Sequence, residues 1–374
     1  MSVVMNILRK TGLFLVAWLT FAACNQIDDD LSDCGEDFQV DYELKLVTNM
    51  TTELKTQLNT ITDVQVANAL RKHLQNIFRE FAHDVDLSFY DTEIDYARLH
   101  HESHIMNDNQ SSYTLNLPMR EYYHLAAANI ADNTLVSIRD DNHYYKSHLD
   151  QLVGDTLESH NTGIFTARHY MDVKGNVNQT FNVRLYMANC AAALVVDTTG
   201  VSYRNFRTYS RGFATNFMVA DSTYNYASLS PYISATPVEV EAGSPKVAFC
   251  SVNFPSRNPN GWWFKEMETN AALGKVNNTP NWLIEADTRV EGEVIPEGDN
   301  EDGEPLWEFI AFVTLEDGSI TKTVLTVKEP LLAGELMIIK GKLDLEGVVH
   351  TEQTNVGVSV TLDWTPGMDF NTEL

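Results

Sequence analysis

The side chain best placed for chemistry is the thiol of Cys24. It stands directly behind Ala22 and Ala23 and behind a short apolar run, residues 11–21, that itself follows Arg9 and Lys10. Such a run is too short to span a bilayer core of roughly 30 Å as a helix. A basic start, a brief apolar centre and small residues before the cut describe a secretory signal, residues 1–23, with Met5 as good an initiator as Met1. A cysteine at the first position after the cut is what bacterial lipoprotein processing acylates, and the pattern is similar to a lipobox except that Phe21 stands where leucine is commonest. The plainer alternative is an ordinary secretory signal followed by an unmodified cysteine. Each buried CH₂ contributes about 0.8 kcal/mol, so two or three acyl chains on Cys24 would tether the chain durably to a membrane without spanning it.

Residues 100–104, His-His-Glu-Ser-His, invite a metal. A zinc protease pair needs His-Glu-x-x-His on a helix so that two imidazoles share one face. Here His101 and His104 are three apart in what reads as strand or loop, where such residues point to opposite faces. Solvent-facing histidines are the expectation, and no metal or cofactor is assigned. Residues 297–304, rich in Glu and Asp, lack the ligand order of a calcium loop, and residues 107–109 read as a polar turn. No Gly-x-Ser-x-Gly elbow, phosphate loop or dinucleotide fingerprint is present, so nothing argues for an enzyme. In "PSRNPNGWWFKE" the aromatics Trp262, Trp263 and Phe264 could present flat faces to sugar rings, or could fill a core, as large aromatics mostly do.

Composition bounds the partners. A formal charge of −26 excludes a phosphate polymer, whose binders gather Lys and Arg on one face, and it repels an anionic membrane surface. With 374 residues the chain exceeds the roughly 250–300 at which a single core stops growing, and 44% hydrophobic residues supply material for two. Residues 24–36 form an acidic linker behind Cys24, including Asp28, Asp29 and Asp30. Of the remaining cysteines, Cys34, Cys190 and Cys250, at most one pair can bridge, and spacing does not say which.

The elements are mainly strands. "DFQVDYELKLVT" reads as a strand, and residues 52–81 then switch to helical period through Leu54, Leu58, Ile61, Leu70, Leu74, Ile77, Phe78 and Phe81, with a break near Thr62 and Asp63. This helix is expected to pack on its own domain's sheet. Period two returns with Val85, Leu87 and Phe89, then Tyr113, Leu115 and Leu117, and the apolar "EYYHLAAANI" follows. Turn residues 172–179 mark a boundary between an N-terminal domain, 37–176, and a C-terminal domain, 177–374. Beyond it "FNVRLYMANCAAALVVD" reads as strand, bend and strand. Trp307, Phe309, Ala311, Val313 and Leu315 alternate up to Asp317-Gly318, a dipeptide favoured in hairpins. Val356, Val358, Val360, Leu362 and Trp364 alternate as a half-buried strand.

A lipobox-like start, "IDDDLSDCG", the apolar "VRLYMANCAAALVVD" and a final "VGVSVTLDWTPGMDF" together resemble the minor, lipid-anchored fimbrial subunits of type V pili, the fimbrial anchor family of gut and oral anaerobes. The resemblance implies a mainly β fold of two tandem transthyretin-like sandwiches, here with one helical insertion in the first. It also implies pilin partners joined by strand exchange and a place on the outer membrane, surface-exposed, held by lipid on Cys24. Acidic residues behind that cysteine resemble an export signal to the outer face. Stalk subunits of this family lose their first strand to a protease that cuts after arginine, whereas anchors resemble subunits that keep it. Two other readings remain open: a surface glycan-binding lipoprotein using Trp262, Trp263 and Phe264, and a fimbrial tip adhesin with a host or glycan ligand.

Overall fold

A computed structural model describes residues 37–47, 50–78, 82–93, 95–106, 112–151, 154–175, 177–241, 243–259, 263 and 305–362. The chain is mostly β, and its strands, numbered in chain order, form four sheets. A seven-stranded sheet runs β3 (Arg98–Ile105), β2 (Asp84–Tyr90), β5 (Glu121–Ala128), β9 (Phe165–Asp172), β10 (Thr180–Met187), β1 (Asp37–Val47) and β4 (Ser112–Pro118). A five-stranded sheet runs β16 (Thr236–Val238), β17 (Lys246–Asn253), β11 (Cys190–Asp197), β20 (Leu336–Leu343) and β21 (Val349–His350). A six-stranded sheet runs β22 (Val356–Thr361), β19 (Ile320–Val327), β18 (Trp307–Leu315), β12 (Tyr203–Arg211), β15 (Tyr232–Ser234) and β8 (Thr156–Glu158). The smallest holds β14 (Thr223–Asn225), β13 (Asn216–Met218), β7 (His148–Gln151) and β6 (Val136–Arg139).

Alternation of side chains places three cores between these layers. Alternate residues of β11 face opposite ways: Ala191, Ala193 and Val195 join the core shared with the seven-stranded sheet, and Cys190, Ala192, Leu194 and Val196 join the core shared with the six-stranded sheet. Leu125, Ala127 and Tyr90, from the opposite face of the seven-stranded sheet, pack with Val136, Leu149, Phe217 and Tyr224 of the smallest sheet. The strand after residues 172–179 is β10, which pairs with β9 and with β1. The chain therefore changes sheets at Ala188 and Asn189. There the buried Asn189 side chain accepts from the Ile164 N–H at 3.2 Å and donates to the Thr162 carbonyl at 2.9 Å, while its carbonyl accepts from the Gly334 N–H at 2.9 Å.

The helical stretch divides into α1 (Met50–Leu58) and α2 (Val64–Ile77). Asp63 caps α2, its carboxylate accepting from the N–H groups of Gln65 at 3.0 Å and Val66 at 3.2 Å. The stripe Val66, Ala67, Leu70, Leu74 and Ile77 is buried as the period requires. Both helices pack against the five-stranded sheet, α1 on β20 and α2 on β16 and β17, within the core that sheet shares with the seven-stranded one. Polar contacts favour that side: Lys246 of β17 pairs with Asp63 at 3.6 Å, Gln65 donates to Glu241 at 2.8 Å, and Lys340 donates to the Thr60 carbonyl at 3.0 Å.

The hairpin at Asp317-Gly318 joins β18 to β19, and Gly318 takes the positive φ of +94° that such a turn asks of a glycine. The final strand departs from its expected burial. Only Val356 is covered, whereas Val358, Val360 and Leu362 are 41%, 40% and 52% exposed. The cause is geometric: among the described residues β22 is the outermost strand of its sheet, and the opposing sheet ends in β21, two residues long, which reaches β19 through the Val349 N–H on the Thr323 hydroxyl at 3.1 Å.

Two features set stability. His124 lies fully buried, stacked on Phe89 with ring centroids 4.3 Å apart and hydrogen-bonded to the Tyr42 hydroxyl. Its Nδ1 meets the Ser88 carbonyl at 3.0 Å, and because a carbonyl only accepts, that nitrogen holds the proton and Nε2 is left to accept from Tyr42. Burial pushes His124 and His160 down to about 3 and His169 to about 4. Below the ordinary pKa near 6.5 the unfolded chain takes up these protons while the native state does not, so stability falls as pH drops from about 6.5 toward 4. Each histidine contributes on the order of 1.4 kcal/mol per pH unit within that window. Urea midpoints should therefore decline steeply from pH 7 to pH 5, with a shallower slope in His124→Gln; a flat profile would contradict neutral burial. At Gly212, φ is +99° and an added Cβ would lie 2.7 Å from the Leu306 carbonyl oxygen and the Trp307 Cα. Gly212→Ala should lose at least about 2 kcal/mol in the same assay.

Candidate assembly and ligand surfaces

The strand nearest the candidate lipid site is built into the fold. On β1, Val40, Tyr42 and Leu44 alternate inward and are buried, with Asp41, Glu43 and Lys45 outward. The strand lies parallel to β10 from Asp41 opposite Thr180 to Val47 opposite Tyr186, and antiparallel to β4 from Asp37 opposite Pro118 to Glu43 opposite Ser112. Cys24, Cys34 and the acidic residues between them lie outside the described residues. Cys190 and Cys250 are buried free thiols on neighbouring strands whose side chains enter different cores, one on each face of the five-stranded sheet. That geometry keeps them from bonding to each other. Burial pushes the Cys250 thiol up to about 12 and Cys190 well above its ordinary value, so neither forms a reactive thiolate.

Several sheet edges are open. Among the described residues β3, β4 and β22 each have a strand on one side only. Among the described residues β15 meets β12 only at Tyr209 and Ser210, which leaves residues 203–207 without a described strand on that side, and β16 is the outermost described strand of the facing sheet. Between these two edges lies a cavity of about 430 Å³ lined by Tyr203, Phe206, Val238, Val240, Glu241 and Lys246. Such edges offer rows of unpaired N–H and C=O groups, the raw material of strand addition.

Of the aromatic loop, Trp262 and Phe264 lie outside the described residues, as do the acidic stretch 297–304, the polar turn 107–109 and Trp364. Trp263 is 6% exposed: its ring centroid lies 5.9 Å from that of Tyr224, and its carbonyl accepts from the Ala333 N–H at 2.7 Å. On β3, His100 and His104 both turn to Glu102, at 2.7 and 2.8 Å, and His101 turns to Asp86 on the other face at 2.7 Å. Among the described residues no group of three or more His, Cys, Asp or Glu side chains is arranged to hold a metal ion, and no helix is long and apolar enough to cross a membrane.

No protein-family model matches the chain, and no curated protein sequence matches it. Among solved structures it is similar to a candidate adhesin from Bacteroides ovatus, with 13% identity, TM-score 0.48, and 87% of this chain and 97% of that one covered. It is also similar to the tip fimbrial protein Mfa3 from Porphyromonas gingivalis, with 10% identity, TM-score 0.37, and 88% and 100% covered. The fimbrial anchor protein Mfa2 from the same organism gives 10% identity, TM-score 0.36, and 58% and 73% covered. At TM-scores below 0.5, none of these likenesses decides what this chain does.

The place of Trp263 has a direct consequence. Trp263→Ala should cost about 3–5 kcal/mol of unfolding free energy, because it empties part of the core around Tyr224, Phe217 and Phe254. Equilibrium denaturation measures this, and a loss under 1 kcal/mol would place the indole outside that core.

Proposed function

We propose that this chain is a lipid-anchored fimbrial subunit of the bacterial surface that anchors or limits a type V fibre, with Cys24 acylated and pilin neighbours joined by strand pairing. In this reading the N-terminal and C-terminal halves act as tandem β-sandwich domains. The observation that carries the proposal is the seating of β1. Among the described residues, the first strand after the candidate lipid cysteine is hydrogen-bonded on both sides and buries Val40, Tyr42 and Leu44. A stalk subunit would have to give such a strand up to an arginine-directed cut. Beyond Cys24 the first arginine is Arg71, within α2, where backbone hydrogen bonds protect the chain from a protease that needs it extended. Keeping the strand while carrying a lipid thirteen residues before it suits a subunit that ends a fibre at a membrane. Those residues reach at most about 45 Å when extended. Free edges on β22 and beside β12 supply places where a neighbour's strand could add.

Expression with an alkynyl palmitate analogue, followed by fractionation and pull-down, tests both halves of the proposal. The wild-type chain should take up label, sediment with outer membranes and bring down pilin, whereas Cys24→Ala should be unlabelled and appear in the medium with its fibres. A wild-type chain without label, or a Cys24→Ala chain that stays wholly membrane-bound, refutes lipid anchoring. A labelled chain that brings down no pilin refutes the fimbrial role.

A further inference from the structure

A row of tyrosines crosses the surface where the seven-stranded sheet meets residues 95–97 and 143–146. Tyr123 of β5 lies directly across from Tyr170 of β9, with ring centroids 6.0 Å apart. Tyr123 stacks on the buried Tyr144 at 4.8 Å, Tyr144 meets Tyr145 edge-on at 4.9 Å, and Tyr145 meets Tyr96 edge-on at 4.8 Å. The row rises from the core to solvent: Tyr144 is buried, Tyr96 and Tyr123 are half-buried, and Tyr170 and Tyr145 are 36% and 50% exposed.

The backbone beneath it is strained. Asp95 and Tyr96 have φ of +54° and +48°, consecutive left-handed residues of which neither is glycine. Such conformations persist where the surroundings over-determine them, and they cluster at ligand clamps. Here the surroundings are backbone bonds from Tyr144 N–H to the Tyr96 carbonyl at 3.0 Å, from Arg98 N–H to the Asn142 carbonyl at 2.9 Å and from Asp91 N–H to the Ala97 carbonyl at 2.9 Å.

We propose that this row is a glycan-binding platform on which pyranose rings of a neutral oligosaccharide stack, with Tyr96, Tyr123, Tyr145 and Tyr170 as the contact residues. The electron-rich face of a phenol ring attracts the weakly positive axial C–H groups of a sugar, and a tyrosine offers that face at little entropic cost. Glu121 and Asp172, an opposed pair on the same sheet face, add carboxylate oxygens beside the rings, Asp172 paired with Lys174 at 3.1 Å and Glu121 hydrogen-bonded to Tyr170.

Geometry and charge select this ligand over others. A quaternary ammonium needs a gap between facing rings, whereas these rings touch one another and form a stepped surface with no slot. Sialylated or sulfated sugars would meet a chain of net charge −26 beside Glu121 and Asp172. The nearby cations are already engaged, Arg98 with Asp141, Arg168 with the Ala220 carbonyl at 2.6 Å and Lys174 with Asp172 at 3.1 Å. None of the contact residues belongs to the Trp262–Phe264 stretch, and the proposal adds an adhesive role to the subunit without depending on anchoring. Pilin pull-down and sugar binding are read in different assays, so either can fail alone.

The test applies the purified full chain to a printed array of neutral, sialylated and sulfated oligosaccharides and proline-rich peptides. Neutral oligosaccharides should be retained, with at least a tenfold loss in Tyr145→Ala/Tyr170→Ala at an unchanged melting temperature and near-full retention in Tyr145→Phe/Tyr170→Phe. Should the alanine pair unfold, Tyr145→Ala alone should still weaken binding threefold or more. Retention of no sugar, of charged sugars only or of peptides only, or neutral-sugar binding that survives the alanine substitutions, overturns the proposal.

Discussion

Everything in this fold leans on one strand that has no solvent face. β11 sits between β17 and β20 in the five-stranded sheet, and its residues alternate between two cores, with Cys190 through Leu194 all fully buried. A strand covered on both faces must be apolar throughout, and consecutive alanines at 191–193 let layers approach it from either side. The helices and the seven-stranded sheet rest against one surface, and the six-stranded sheet rests against the other. A bulkier residue there would press on the layer its side chain faces, Ala192 on the six-stranded sheet and Ala191 or Ala193 on the helices and the seven-stranded sheet.

Local order was legible in the sequence, and long-range order was not. The hairpin at Asp317-Gly318 and the apolar stripe of α2 each follow from spacing within a dozen residues. The parallel pairing of β1 with β10 joins residues far apart in sequence and leaves no mark on either strand alone. For the same reason the strand after residues 172–179 reads as the start of something new when it completes the first sheet. The helices keep their expected stripe, but the strands that receive it, β16, β17 and β20, lie too far along the chain for periodicity to connect. Val358 and Val360 alternate correctly, yet alternation says nothing about whether a second sheet extends far enough to cover them.

Candidate surfaces were harder still. Trp263 was visible as an aromatic in a polar loop, a pattern that fits sugar contact and core filling equally, and its inward turn depends on Tyr224 from another segment. The tyrosine row has no signature at all, since its members come from separate stretches brought together by the β5–β9 register and by residues 95–97 bonding to residues 142–144. The opposed facing of Cys190 and Cys250 follows only from knowing that their strands are neighbours.

The seating of β1 also fixes how the molecule would respond to a pull. Traction on Asp37 along the strand axis would strain the ladders to β4 and β10 together, as a lap joint is loaded, rather than peeling one bond at a time. Slippage would need many bonds to fail at once, while Val40, Tyr42 and Leu44 were dragged through close-packed surroundings. A body tugged by fluid flow through its first strand would thus hold at the point where its chain enters the fold.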